Sequence, residues 1–141
     1  MKKRWLGLTA AMAISMILTA CGSDDTSSGD SKTFKVGISQ YVEHPSLDEA
    51  TKGFKKAIED AGVEVKFDEQ NAQGDATNNQ TIATNFAGDG VDLIFANATP
   101  SALSAANATT DIPVVFTSVT DPVGAELVKD FEAPDKNVTG T

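Results

Sequence analysis

Val91-Asp92-Leu93-Ile94-Phe95-Ala96-Asn97-Ala98-Thr99-Pro100-Ser101 is the stretch that decides the fold. Residues 91–96 are nearly all apolar, which is how a strand reads when both faces of a parallel sheet are covered. The run passes directly into Asn97 and Ala98, where Thr99 is placed to cap a helix and Pro100 to begin it, with the helix reaching from Ser101 to about Thr109. A buried strand that opens through a short polar turn into a helix is half of a strand–helix–strand unit.

The same unit recurs on both sides. Upstream, residues 34–39 alternate apolar with polar or small residues and then open into a polar loop. Ser46 and Glu49 follow in capping-box spacing; Leu47, Ala50, Phe54, Ala57, Ile58 and Ala61 form one apolar helical face, and Gly62 is placed to stop it. Val63, Val65 and Phe67 alternate as a second strand that ends in a polar loop over residues 69–74. Asp75 caps a second helix, with Ile82, Ala83, Phe86 and Ala87 buried and Gly88 and Gly90 at its end. Downstream, residues 112–117 read as a fourth buried strand. Strand and helix alternating at these intervals give right-handed crossovers and an α/β fold with a doubly wound parallel sheet.

Ligands of such sheets lie outside the carboxyl ends of the strands. The loops there are residues 40–45, 70–74, 97–101 and 118–124, and they gather amides, hydroxyls, the single His and the single Tyr. Catalytic signatures are missing. There is no GxGxxG after the first strand, no GxxxxGK[ST] and no GxSxG. A metal site built from Glu43, His44 and Asp48 lacks a second nitrogen or any sulfur ligand, so His44 reads as a loop residue that bonds locally or lines a pocket. With Cys21 the one cysteine, no intrachain disulfide and no CxxC site can form. These observations predict a binding protein rather than an enzyme, with no cofactor and no metal.

The chain begins with the basic Met1-Lys2-Lys3-Arg4 and an uncharged, mostly apolar run over residues 6–18, the shape of a removable secretory signal. It is too short to span a bilayer, which takes about 20 apolar residues. Leu18-Thr19-Ala20-Cys21 resembles the lipobox of bacterial lipoproteins. That resemblance implies a signal peptide over residues 1–20, diacylglycerol on the Cys21 sulfur, and localisation at the outer face of the cell membrane through this lipid anchor. Residues 21–32, without an apolar member after Cys21, read as a flexible tether, and residues 33–141 as the domain. Loss of Lys2, Lys3 and Arg4 takes the formal charge from −9 to −12 and leaves no arginine, which argues against nucleic acid as a partner.

Four motifs in order carry a family likeness: Gly37-Ile38-Ser39-Gln40-Tyr41-Val42-Glu43-His44-Pro45-Ser46-Leu47-Asp48; Asn71-Ala72-Gln73-Gly74-Asp75; Ala98-Thr99-Pro100; and Asp111-Ile112-Pro113-Val114-Val115-Phe116-Thr117-Ser118-Val119-Thr120-Asp121-Pro122-Val123-Gly124. From about Phe34 onward the chain resembles the substrate-binding lipoproteins of TrpX-like ABC importers. The resemblance implies a type I periplasmic-binding-protein fold of two lobes, with solute held between them and passed to a permease driven by an ATPase. Characterised relatives bind aromatic amino acids such as tryptophan or tyrosine. Because family members are roughly twice as long, residues 33–141 correspond to the N-terminal lobe, with the second lobe absent from this sequence.

Placed on that scaffold, an amino-acid carboxylate would rest on the helix start at Thr99, Pro100 and Ser101, where free N–H groups and the helix dipole favour an anion and the Thr99 and Ser101 hydroxyls would help. Asp121 would meet the ammonium, Ser118 and Thr120 lie beside it, Asn97 opens the same loop, and Gln40 and Tyr41 would supply an amide and a flat apolar wall. Each has a plainer reading too. Thr99 serves equally as a cap, Asp121 before Pro122 as a turn initiator and Tyr41 as a surface residue. The competing function is a lipid-anchored sensor or binding protein for another small solute, such as a sugar or nucleoside.

Overall fold

The computed structural model describes residues 33–134 and 136–141. The signal, Cys21 and the tether lie outside the described residues. The elements are β1 (Phe34–Gln40), α1 (Pro45–Asp60), β2 (Val65–Asn71), α2 (Ala76–Asp89), β3 (Leu93–Asn97), α3 (Thr99–Ala108), β4 (Val114–Thr117) and β5 (Val138–Gly140). All five strands pair in parallel in the order β2-β1-β3-β4-β5. No helix among the described residues is long and apolar enough to cross a membrane.

Side chains alternate across a strand, so consecutive apolar residues of β3 feed two different cores. Phe95 joins Val36 and Ile38 on one face, where α1 lays Phe54 over them. The rings of Phe54 and Phe95 stack with centroids 4.0 Å apart, and Phe67 of β2 meets Phe54 edge-on at 6.4 Å. Ile94 and Ala96 point the other way and pack with Phe86 of α2, Ala102 and Ala105 of α3, Val114, Phe116 and Val138. One helix on one face and two on the other make the sheet doubly wound, as the sequence predicts.

Several boundaries differ from the sequence reading, each for a local reason. β2 begins at Val65 and continues through Asn71, so the expected loop residues 69–71 are strand. It is an edge strand whose polar end stays in water while its backbone pairs with β1, and pairing rather than hydrophobicity sets its length. The capping box does not start α1: Pro45 does, and His44 is the cap, its Nδ1 accepting the Ser46 N–H at 3.2 Å. Pro45 sits in the first turn, where its missing N–H costs nothing. Thr99 does not cap α3; it is the first helical residue, and the cap position belongs to Ala98. β3 starts at Leu93 and β4 at Val114. The strand β5 was not expected, being three residues long and too short to show a period. Asp75 does cap α2, accepting the Asn78 N–H at 2.8 Å, and Gly90 ends it at φ +60.

Gly37 of β1 lies beneath Phe86. A Cβ there would sit 2.7 Å from ring carbons of a side chain that is 2% exposed and has nowhere to move. Gly53, inside α1, has open space around it. We expect Gly37→Ala to destabilise the fold by about 1–3 kcal/mol through overpacking. Gly53→Ala should stabilise it by about 0.5–1 kcal/mol, because alanine loses less backbone entropy in a helix. Urea unfolding followed by circular dichroism checks both signs.

Candidate functional site

The strand order reverses between β1 and β3: the chain leaves β1 toward β2 but leaves β3 toward β4. The carboxyl edge at that reversal is where an open α/β sheet offers a crevice. Backbone hydrogen bonds continue across this edge after the strands end. Gly74 N–H donates to the Tyr41 carbonyl at 2.8 Å, Tyr41 N–H to the Asn97 carbonyl at 3.3 Å, and Ala98 N–H to the Thr117 carbonyl at 3.0 Å. Four loops are thereby stitched side by side into one rim.

Beneath the rim lies a buried polar knot. Gln40 and Asn97 are the last residues of β1 and β3 and face each other in register. Their side chains turn toward α1 and meet at Thr51. The Thr51 hydroxyl donates to Gln40 Oε1 at 2.9 Å and accepts from Asn97 Nδ2 at 3.0 Å. Asn97 Nδ2 also donates to the Leu47 carbonyl at 2.8 Å, and Gln40 Nε2 to Asp48 Oδ1 at 2.7 Å and the Val42 carbonyl at 3.1 Å. Burying amides and a hydroxyl is tolerable because nearly every polar atom is bonded. Two exceptions remain: Asn97 Oδ1 and Ser39 Oγ are buried without a partner among the described residues.

Immediately after Asn97, Ala98 adopts φ 92 and ψ 155, a region that is essentially reserved for glycine and costs about 1–3 kcal/mol for other residues. It is held on both sides, its N–H by Thr117 and its carbonyl by the Ala102 N–H at 3.0 Å. The turn launches α3 with no side-chain cap, leaving first-turn N–H groups without intrahelical acceptors. Behind this turn, Asn79 clamps α2 to α3. Its Nδ2 donates to the Pro100 carbonyl and to Ser104 Oγ, both at 2.8 Å, and its Oδ1 accepts the Ser101 hydroxyl at 3.0 Å.

The predicted site residues therefore separate into two groups. Gln40, Asn97 and Ser101 are buried and their side chains are engaged inside the protein. Asp121 is exposed but folds back on its turn, accepting the Gly124 N–H at 2.8 Å. Tyr41, Thr99 and Pro100 are half-buried on the rim, and the Tyr41 hydroxyl donates to the Gly74 carbonyl at 2.8 Å. Ser118, at φ 58, and Thr120 are exposed beyond β4. Thr51, Asp48 and Asn79 were missed as polar anchors because helical residues with apolar neighbours read as core or solvent face. On the β2 side of the rim, Val42, Glu43, Asn71 and Gln73 line an open hollow of about 480 Å³. Among the described residues no group of His, Cys, Asp or Glu converges as metal ligands would.

Residues 35–141 match the family described as ABC transporter substrate binding protein. The chain belongs to that family. It is 51% identical over 146 residues to a tyrosine-binding protein of Clostridioides difficile, an alignment covering 95% of this chain and 42% of that protein. Among solved structures, the ligand-free, open form of a substrate-binding protein with adhesive properties from Clostridium difficile is 52% identical, with a TM-score of 0.75 over 77% of this chain and 38% of that one. An ABC domain from Streptococcus pneumonia in complex with L-Trp is 41% identical, with a TM-score of 0.75 over 78% and 38%. The chain thus spans about two-fifths of the length of these family members.

Because Asn79 joins two helices through three bonds, Asn79→Ala should leave the buried Ser101 hydroxyl and the Pro100 carbonyl short of partners and cost about 1–3 kcal/mol. The check is a lower urea midpoint with an unchanged m-value.

Proposed function

We propose that this chain is the N-terminal lobe of an extracytoplasmic receptor that binds an amino acid for an ABC importer, with an aromatic one such as tyrosine or tryptophan as its solute. The observation that carries the reading is the uncapped start of α3 at the strand-order reversal. Its N–H groups point at the edge where solutes bind in such sheets, and an anion is the chemistry they favour. A free amino acid supplies a carboxylate. The half-buried Tyr41, one loop away, supplies an apolar wall for a side chain. Relatives named for tyrosine binding and solved with L-Trp support the same solute class.

In this reading the Thr99 and Ser101 backbone N–H groups receive the carboxylate, with the Thr99 hydroxyl adding a third donor. The Ser101 hydroxyl stays on Asn79 and does not take part. Asp121, exposed beyond β4, offers negative charge to the ammonium in addition to its own turn. A second lobe closes over the solute, as binding from two sides buries most of a small ligand. The tether from a lipid-bearing Cys21 keeps the receptor beside a permease and ATPase. Binding rather than catalysis is the role, as the descriptions of the family and of its tyrosine-binding relative indicate. The relative with adhesive properties favours a second use of the same scaffold, as an anchored surface protein that binds another small solute.

Calorimetry on the receptor at the length of its relatives tests the carboxylate assignment. L-Tyrosine and L-tryptophan should bind, and their amides, which lack the carboxylate charge, should bind at least about tenfold more weakly. Equal affinity for acid and amide would contradict it.

A further inference from the structure

Gln40, Thr51 and Asn97 are all at least nine-tenths buried, at 4%, 3% and 0% exposure, so none of them can touch a solute. Yet every loop that faces the rim at the reversal point starts from one of them. Tyr41 follows Gln40 directly. Ala98 and Thr99 follow Asn97. A single hydroxyl, on a helix that belongs to neither loop, holds both amides by donating to one and accepting from the other. The Tyr41 N–H then bonds the Asn97 carbonyl, so the two loops are fixed relative to each other as well as to α1.

The arrangement carries two local costs that packing does not require. Asn97 Oδ1 is buried without a donor, because its Nδ2 must face the Leu47 carbonyl and Thr51. Ala98 is held in backbone territory that suits glycine. Both costs fall at one junction, and violations of local rules concentrate where function constrains the chain. An apolar trio of the same shape would avoid the orphaned acceptor but would not fix the direction in which the two strand ends leave the sheet.

We propose that Thr51 is a positioning residue for solute binding: through Gln40 and Asn97 its hydroxyl sets where Tyr41 and the first turn of α3 stand on the rim. The proposal rests on the solute-binding reading above. Thr51 acts as a relay with a defined sense, donor toward β1 and acceptor toward β3, so valine, of the same shape but without the hydroxyl, cannot replace it. Serine keeps the hydroxyl and can.

The test uses the full chain with Thr51→Val, Thr51→Ser and, as a stability control on the far strand β5, Val138→Ala. Two readouts are taken: affinity for L-tyrosine and L-tryptophan by NMR titration, and amide hydrogen exchange. Thr51→Val should weaken binding by at least about tenfold and speed exchange of the Tyr41 and Ala98 amides by a similar factor relative to the Ile94 amide, which reports opening of the sheet. Thr51→Ser should restore both. Val138→Ala should lower the melting temperature without changing affinity or the exchange ratio. Wild-type affinity in Thr51→Val, or an equal loss in Val138→Ala, overturns the proposal. Should the unaltered chain, which in that reading carries one lobe of the site, bind neither amino acid, the exchange ratio alone decides: unchanged protection of Tyr41 and Ala98 in Thr51→Val overturns the positioning role.

Discussion

Where β1 and β3 part, the backbone has to leave a parallel pair in two directions while every buried polar group still finds a partner. The hydroxyl of Thr51 meets that constraint by holding the terminal amides of both strands at once. Asn97 is held a second time, by the Leu47 carbonyl, so α1 is attached to the sheet through polar contacts at its first turns and through Phe54 on Phe95 further along. The position of the rim loops follows from these attachments. So does the orientation of α3, since its start is the residue after Ala98.

The rest of the lobe supplies rigidity. Ile94 and Ala96 on one face and Phe95 on the other tie β3 into both cores, which makes the central strand the least able to shift. Phe86 fills the space that Gly37 leaves, and Asn79 prevents α2 from sliding along α3. A rim built on such elements holds its donors in fixed directions. The strain at Ala98 persists because hydrogen bonds on both of its sides leave it no alternative.

Much of this was legible in the residues. The apolar run through Phe95, the turn residues around Gly90 and Asp75, and the alternation of strand with helix indicate a doubly wound parallel sheet, and they gather the polar loops at the strand ends that form the rim. What could not be read is which polar residues on those loops face outward. Gln40, Asn97 and Ser101 have the chemistry of ligand contacts, but their partners Thr51 and Asn79 are some 11 to 46 positions away in sequence, and no periodicity links them. Thr99 looked like a cap because its residue type suits one; the tertiary hold on Ala98 moved the boundary by one residue. The extent of β2 was hidden for a related reason, since pairing with β1 carries polar residues that hydrophobic patterning assigns to a loop.

The most direct measurement is a crystal structure of the receptor, at the length of its relatives, with L-tyrosine bound. The expected result is a carboxylate on the backbone N–H groups of Thr99 and Ser101, with the Asn97 amide still on Thr51 and the Tyr41 ring against the solute. A carboxylate held elsewhere, or an Asn97 amide swung out of the knot to touch the ligand, would contradict it.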